Sequence, residues 1–216
     1  MTAEVDTTGF EHSARPWSTG HDQPGSFRHR LLDGLAASIR EKGFRETTVA
    51  DIVRHARTSR RTFYAEFASR EECYIALLQT VNELMKRQIA GAVDTAAPRE
   101  TQIRRAIEAY IAAVVSEPEI TLSWIRELPA LGAIAHELQR SALETTVDLL
   151  VQLADNDQFR RDGVEPMSRE TATLLLGGIR ELIATVVEDG GDPRRVSEVA
   201  VRAATLLLGP ARVGQV

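Results

Sequence analysis

The chain is expected to fold as an all-α protein of about nine helices, with a small N-terminal three-helix unit followed by a larger helical body. Three observations carry this reading. Apolar residues recur every three or four positions along most of the chain, which lines one face of a helix. Capping residues and glycines fall where those runs begin and end. No segment alternates apolar and polar residues over the length of a strand, so no sheet is assigned.

The elements follow in order. Residues 1–25 hold Gly9, Pro16, Gly20, Pro24 and Gly25 and no apolar period, and read as a disordered arm with an acidic, polar start unlike a secretory signal. Ser26 caps a first helix whose inner face is Phe27, Leu31, Leu35 and Ile39; Gly43 closes it and Phe44 folds back on its last turn. Thr48 with Asp51 resembles a capping box and opens a short helix from Val49 to Ala56. Ser59 caps a third from Arg60 to Phe67, and Ser69 with Glu72 makes a fuller capping box for a long fourth through Tyr74, Leu77, Leu78, Val81 and Met85.

Beyond Pro98 the same periodicity continues. A fifth helix runs through Ile103, Ile107, Tyr110, Ile111 and Val114, and a sixth carries Ile120, Trp124 and Ile125 and stops at Pro129. A seventh carries Ile134, Leu138, Leu143, Val147, Leu150 and Leu153 up to a polar stretch from Asp155 to Glu165. Ser168 starts an eighth, closed by Gly190-Gly191, and Asp192-Pro193 opens a ninth that reaches Leu208.

Composition is that of an ordinary globular protein: 216 residues, 43% apolar and 26% charged. No apolar run reaches the roughly 20 residues that cross a bilayer, so no membrane partner is expected. Cys73 is the lone cysteine, which excludes an internal disulfide and makes a cytoplasmic setting the default. The net charge of −5 is unevenly spread. Residues 26–70 carry ten Lys/Arg against five acids, whereas residues 71–216 carry fifteen against twenty-two. A basic block on an acidic chain is the footprint of a nucleic-acid-contacting unit joined to a body that is not one.

Two short helices with a tight connection, the second crowded with arginines, form a helix-turn-helix pattern. Phe63 and Phe67 share a face and anchor the second helix, leaving Arg60, Arg61 and Thr62 outward at the end that enters the major groove. An arginine there can hold guanine O6 and N7 through two hydrogen bonds. Tyr64 can reach a phosphate, as can the N–H groups at helix starts capped by residues such as Ser59. A solvated basic helix packed on a core is the plainer alternative.

Thr48-Val49-Ala50-Asp51-Ile52-Val53, Ala56, Ser59, Thr62-Phe63-Tyr64, Phe67 and Ser69-Arg70-Glu71-Glu72 together resemble the TetR family signature. The match covers roughly residues 27–78. By that resemblance Thr48, Tyr64 and Arg70 are phosphate contacts and Arg60, Arg61 and Thr62 face bases. The family usually has Gly and Val where this chain has Arg57 and Thr58; Arg57 either strains the turn or adds a DNA contact.

The resemblance implies residues 26–70 as the DNA-binding domain and residues 71–216 as an effector-binding and dimerisation domain. It implies a homodimer on a partly palindromic double-stranded operator, released by a small molecule. The last two helices, with Leu175, Ile179, Ile183, Val186, Ala203 and Leu207, are taken as the dimer interface; burial of the same residues inside one subunit is the other reading. The middle helices would enclose a pocket, with Tyr110, Trp124, Glu127, His136, Arg140 and Arg180 as lining residues. Few aromatics follow residue 90, which suits a flexible aliphatic ligand.

No catalytic set, cofactor or metal is expected. The five histidines, at 12, 21, 29, 55 and 136, lack metal-ligand spacing. Gly177-Gly178 sits mid-helix without a phosphate-loop pattern, so close helix packing is expected there. Two alternatives stay open: a helix-turn-helix activator or effector-independent DNA-binding protein, and a helical ligand-binding or interaction protein that does not bind DNA.

Overall fold

The computed structural model describes residues 26–209, so the expected arm at 1–25 lies outside them. The described residues are largely helical and contain no strand. The order is α1 (Phe27–Glu46), α2 (Val49–His55), α3 (Arg60–Glu66), α4 (Arg70–Ala92), α5 (Arg99–Ser116), α6 (Pro118–Leu122), α7 (Ala133–Ala154), α8 (Asp157–Arg161), α9 (Arg169–Glu188) and α10 (Ser197–Leu207). A π turn (Ser123–Glu127) and a 3-10 turn (Leu128–Leu131) prolong α6, and a second 3-10 turn (Pro193–Val196) leads into α10.

Caps set most of the boundaries. Ser26 accepts the His29 N–H, and α1 breaks at Gly43, whose φ of 77° is a conformation that excludes most side chains. Thr48 and Asp51 form a complete capping box despite the shorter reach of aspartate. The Ser69 box is half made: Ser69 accepts the Glu72 N–H, but the Glu72 carboxylate takes the amide of Ala68 instead.

Helix α8 was not expected. It falls in the stretch read as polar, where the Asn156 side chain accepts the N–H groups of Gln158 and Phe159 and buries the Phe159 ring.

Two apolar clusters fill the molecule. The lower one gathers Leu31, Leu35, Ile39, Ile52, Phe63 and Phe67 with Tyr74 and Leu77 from α4, and is completed by Ile120, Leu128 and Ala135 from the body. The upper one joins α5, α7, α9 and α10 through Ile103, Ile107, Val147, Ile183 and Ala204. Gly34 lets α1 and α2 cross closely: a Cβ there would stand 2.5 Å from the Ile52 carbonyl oxygen.

Candidate functional site

Helix α3 is built as its residues dictate. Ser59 caps α3 by accepting the Thr62 N–H at 3.1 Å, and Phe63 and Phe67 bury against the lower cluster with ring centroids 5.8 Å apart. That fixes the opposite face outward. Arg57, Arg60 and Arg61 are exposed and form no ion pair among the described residues, and the Tyr64 ring stands out beside them. Three unneutralised guanidiniums at one helix start form a concentrated positive field.

The turn before α3 resolves the question posed by Arg57. Its φ of 49° makes it the one non-glycine residue with positive φ among the described residues. Arg57 N–H bonds to the Arg54 carbonyl and Thr58 N–H to the Val53 carbonyl, closing α2 in the left-handed manner that glycine usually serves. The strain is therefore present.

Arg70 is engaged within the protomer. Its guanidinium stacks on the Phe44 ring at 4.4 Å and donates to the carbonyls of Phe44, Arg45 and Thr47 and to the Glu71 carboxylate. With those donors engaged, it braces the α1–α2 corner. Thr48 is likewise held, its hydroxyl donating to Asp51. The Asp51 carboxyl is held well below the usual carboxylate range, first by Lys42 and then by Thr48.

A cavity of about 220 Å³ lies in the body. Its walls come from α4 (Leu78, Val81, Asn82, Met85), α5 (Tyr110, Ala113, Val114), the α6 segment (Ile120, Thr121, Trp124, Ile125), α7 (Gln139, Ala142, Leu143, Thr146) and α9 (Thr173, Leu176, Gly177, Arg180). Of the six residues named from sequence, Tyr110, Trp124 and Arg180 line it. Glu127, His136 and Arg140 do not: the latter two are exposed on α7, because Ala135, Gln139 and Ala142 are what α7 turns inward. Asn82 and Gly177 were missed. Asn82 interrupts the apolar stripe Leu78–Met85 of α4, a signal legible in the sequence. A second, smaller cavity of about 60 Å³ lies near Ile107, Leu150 and Leu175, one helical turn further along α5 and α7.

Glu127 has a different use. Its carboxylate accepts the Phe44 N–H left free by the break at Gly43, and also the Ser123 hydroxyl at 2.5 Å. Ser123 in turn pairs with the buried Tyr74 hydroxyl, and the Tyr74 ring stacks on Phe44 with centroids 3.8 Å apart. The π turn places Ser123 and Glu127 for this, while the neighbouring Trp124 and Ile125 line the cavity. One segment thus touches both cavity and head. Arg40 of α1 adds a 2.8 Å ion pair to Glu117, just before α6.

On the outer surface of α9, Leu174, Gly178 and Leu182 form an exposed stripe, and α10 also exposes Leu206 and Leu207. Two residues expected at the interface, Ile179 and Ile183, lie one position along from this stripe and are spent in the protomer's own core, at 7% and 0% exposure. Leu175, Val186 and Ala203 are half-buried. The close packing expected at Gly177-Gly178 is absent within the protomer: a Cβ at either would meet nothing within 4 Å. Cys73 is fully buried, and burial pushes its thiol up, which leaves it inert.

A capped helix pair with outward arginines, set on an all-helical body, is a helix-turn-helix arrangement. Residues 31–77 match the family model described as bacterial regulatory proteins, tetR family. No curated protein matches the chain. Solved structures with the same fold include the fatty acid degradation regulator FadR from Bacillus halodurans (18% identity, TM-score 0.68, 88% of this chain and 99% of that one). FadR from Bacillus subtilis in complex with stearoyl-CoA is similar (16%, 0.70, 83% and 97%), as is a tetR-family regulatory protein from Rhodococcus RHA1 (17%, 0.67, 86% and 98%). The N-terminal segment thus matches the tetR family model, and the described chain as a whole shares its fold with solved tetR-family regulators. No helix among the described residues is long and apolar enough to cross a membrane.

Proposed function

We propose that the protein is a repressor that binds a partly palindromic operator as a homodimer and is released when a small, largely aliphatic molecule enters the body cavity. The exposed N-terminal half of α3 carries the DNA part of this reading. Arg60, Arg61 and Thr62 are the base-facing set, with Arg57, Ser59 and Tyr64 along the backbone. Residues 26–70 act as the DNA head and residues 71–216 as the body. The stripe Leu174–Gly178–Leu182, with Leu206 at 79% exposure, supports self-association, because an isolated protomer would leave it in water. Two protomers related by a twofold axis would set their reading helices about 34 Å apart.

The cavity supports the ligand part: its walls are mostly aliphatic, and a TetR-fold protein of similar shape was solved with stearoyl-CoA. Ligand acting on Trp124 and Ile125 would shift the π turn and, through Ser123 and Glu127, the corner at Phe44. A change of that kind need supply only about 1–3 kcal/mol of coupling to release the operator.

The test compares Arg61→Ala with the unaltered protein on DNA selected by the purified protein and on scrambled DNA. The expected loss is about 1–3 kcal/mol on the selected site and little on scrambled sequence. Equal losses on both would put the base-reading face elsewhere.

A further inference from the structure

We propose that the cavity takes an aliphatic carboxylate, with the Arg180 guanidinium as its anion-binding group and the Tyr110 hydroxyl as a second donor. This rests on the cavity being the effector site. Arg180 is the one charged residue in the walls, and no Asp or Glu lines the cavity. It makes no hydrogen bond or ion pair among the described residues. The adjacent acid, Glu181, is already engaged by Arg126 at 2.7 Å. Tyr110 is only 9% exposed, and its hydroxyl also has no partner among the described residues. Tyr110 lines the cavity, so a ligand oxygen there would supply its hydroxyl with an acceptor. Burial pushes the Tyr110 phenol up to about 12, so it is a neutral donor at physiological pH.

These groups choose between ligand classes. An aliphatic amine would meet a like charge and no counter-ion. A neutral alkane or alcohol would leave the guanidinium unpaired. A carboxylate fits the planar guanidinium through two parallel bonds and brings one negative charge to one positive one. A nucleotide-linked acyl thioester carries several phosphate charges for which the walls hold no further base. Leu78, Met85, Val114, Ile120, Leu143 and Leu176 would surround the chain. At the ~30 Å³ that a water-sized group occupies, about 220 Å³ holds roughly seven such groups, which points to a medium chain.

Octanoate, octanol and octanoyl-CoA are titrated against the full chain carrying Trp17→Phe, so that Trp124 in the cavity wall reports binding. Octanoate is expected to bind about 10–100-fold more tightly than octanol, the gain of a charge-assisted pair. Arg180→Gln should erase that preference without weakening octanol, and Arg180→Lys should keep part of it. Gly177→Leu, which fills the cavity from a position where a Cβ meets nothing within 4 Å, should abolish binding of both while DNA binding persists. Equal binding of octanoate and octanol would overturn the carboxylate proposal and leave the aliphatic cavity standing. Tightest binding of octanoyl-CoA, unaffected by Arg180→Gln, would overturn it in favour of a thioester. If none of the three ligands moves Trp124 emission, both the proposal and the effector-site reading fall.

Discussion

Replacing Arg57 with glycine separates two effects that the native residue combines. A side chain held in the left-handed region costs about 1–2 kcal/mol relative to the right-handed one. Glycine removes that strain but frees the unfolded chain, which returns about 0.4–1 kcal/mol. The net expectation is a gain of about 0.5–1 kcal/mol, or about 1–4 °C in Tm for a chain of this size. The guanidinium is exposed, unpaired among the described residues and next to the start of α3. Its loss should flatten the plot of log affinity against log salt by about 0.9 for each half-site. The variant should therefore be more stable and bind all DNA more weakly. Thermal unfolding at one fixed protein concentration, without DNA, reads the first effect; binding at four salt concentrations reads the second. An unchanged or lower Tm would show that the turn is not strained by its side chain. An unchanged salt slope would remove Arg57 from the interface.

Arg70→Ala should cost about 1–3 kcal/mol of stability by leaving the Thr47 carbonyl without its donor, and Arg70→Lys should not restore it because an ammonium lacks the planar fork. Denaturant unfolding reads this, and a normal unfolding curve with a flattened salt slope would return Arg70 to the phosphate role expected from sequence. Gly34→Ala should destabilise the head by about 1–3 kcal/mol despite alanine's better helix propensity, since the added carbon would stand 2.5 Å from the Ile52 carbonyl oxygen. A rise in urea midpoint would show that α1 and α2 can separate at no cost.

Local signals made most of this fold legible. Ser26, Thr48, Ser59 and Ser168 each cap the helix they were expected to open, because a cap bond joins residues two or three apart and is written in adjacent letters. Phe63 and Phe67 oriented α3 for the same reason. Properties that depend on what lies opposite were not legible. Helix α9 is apolar on several faces, so nothing local distinguished the inward Ile179 and Ile183 from the outward Leu174 and Leu182. Glu127 and Arg70 looked available for ligand and phosphate, yet each is taken by backbone groups 83 and 23 to 26 positions away. Helix α8 was hidden by its polar surroundings, although Asn156 and the lone Phe159 were signs of it.

The lower cluster has a practical consequence for anyone recombining regulators. Its walls include Tyr74 and Leu77 of α4 and Ile120, Leu128 and Ala135 of the body, so the unit formed by α1–α3 does not own a complete interior. A chimaera spliced at residue 70 would graft a foreign operator preference onto mismatched walls and sever the Glu127–Phe44 link. Exchanging only the solvent-facing positions of α3 would leave that interior untouched. If α3 reads the operator as proposed, operator choice is portable as a handful of side chains, whereas the head as a module is not.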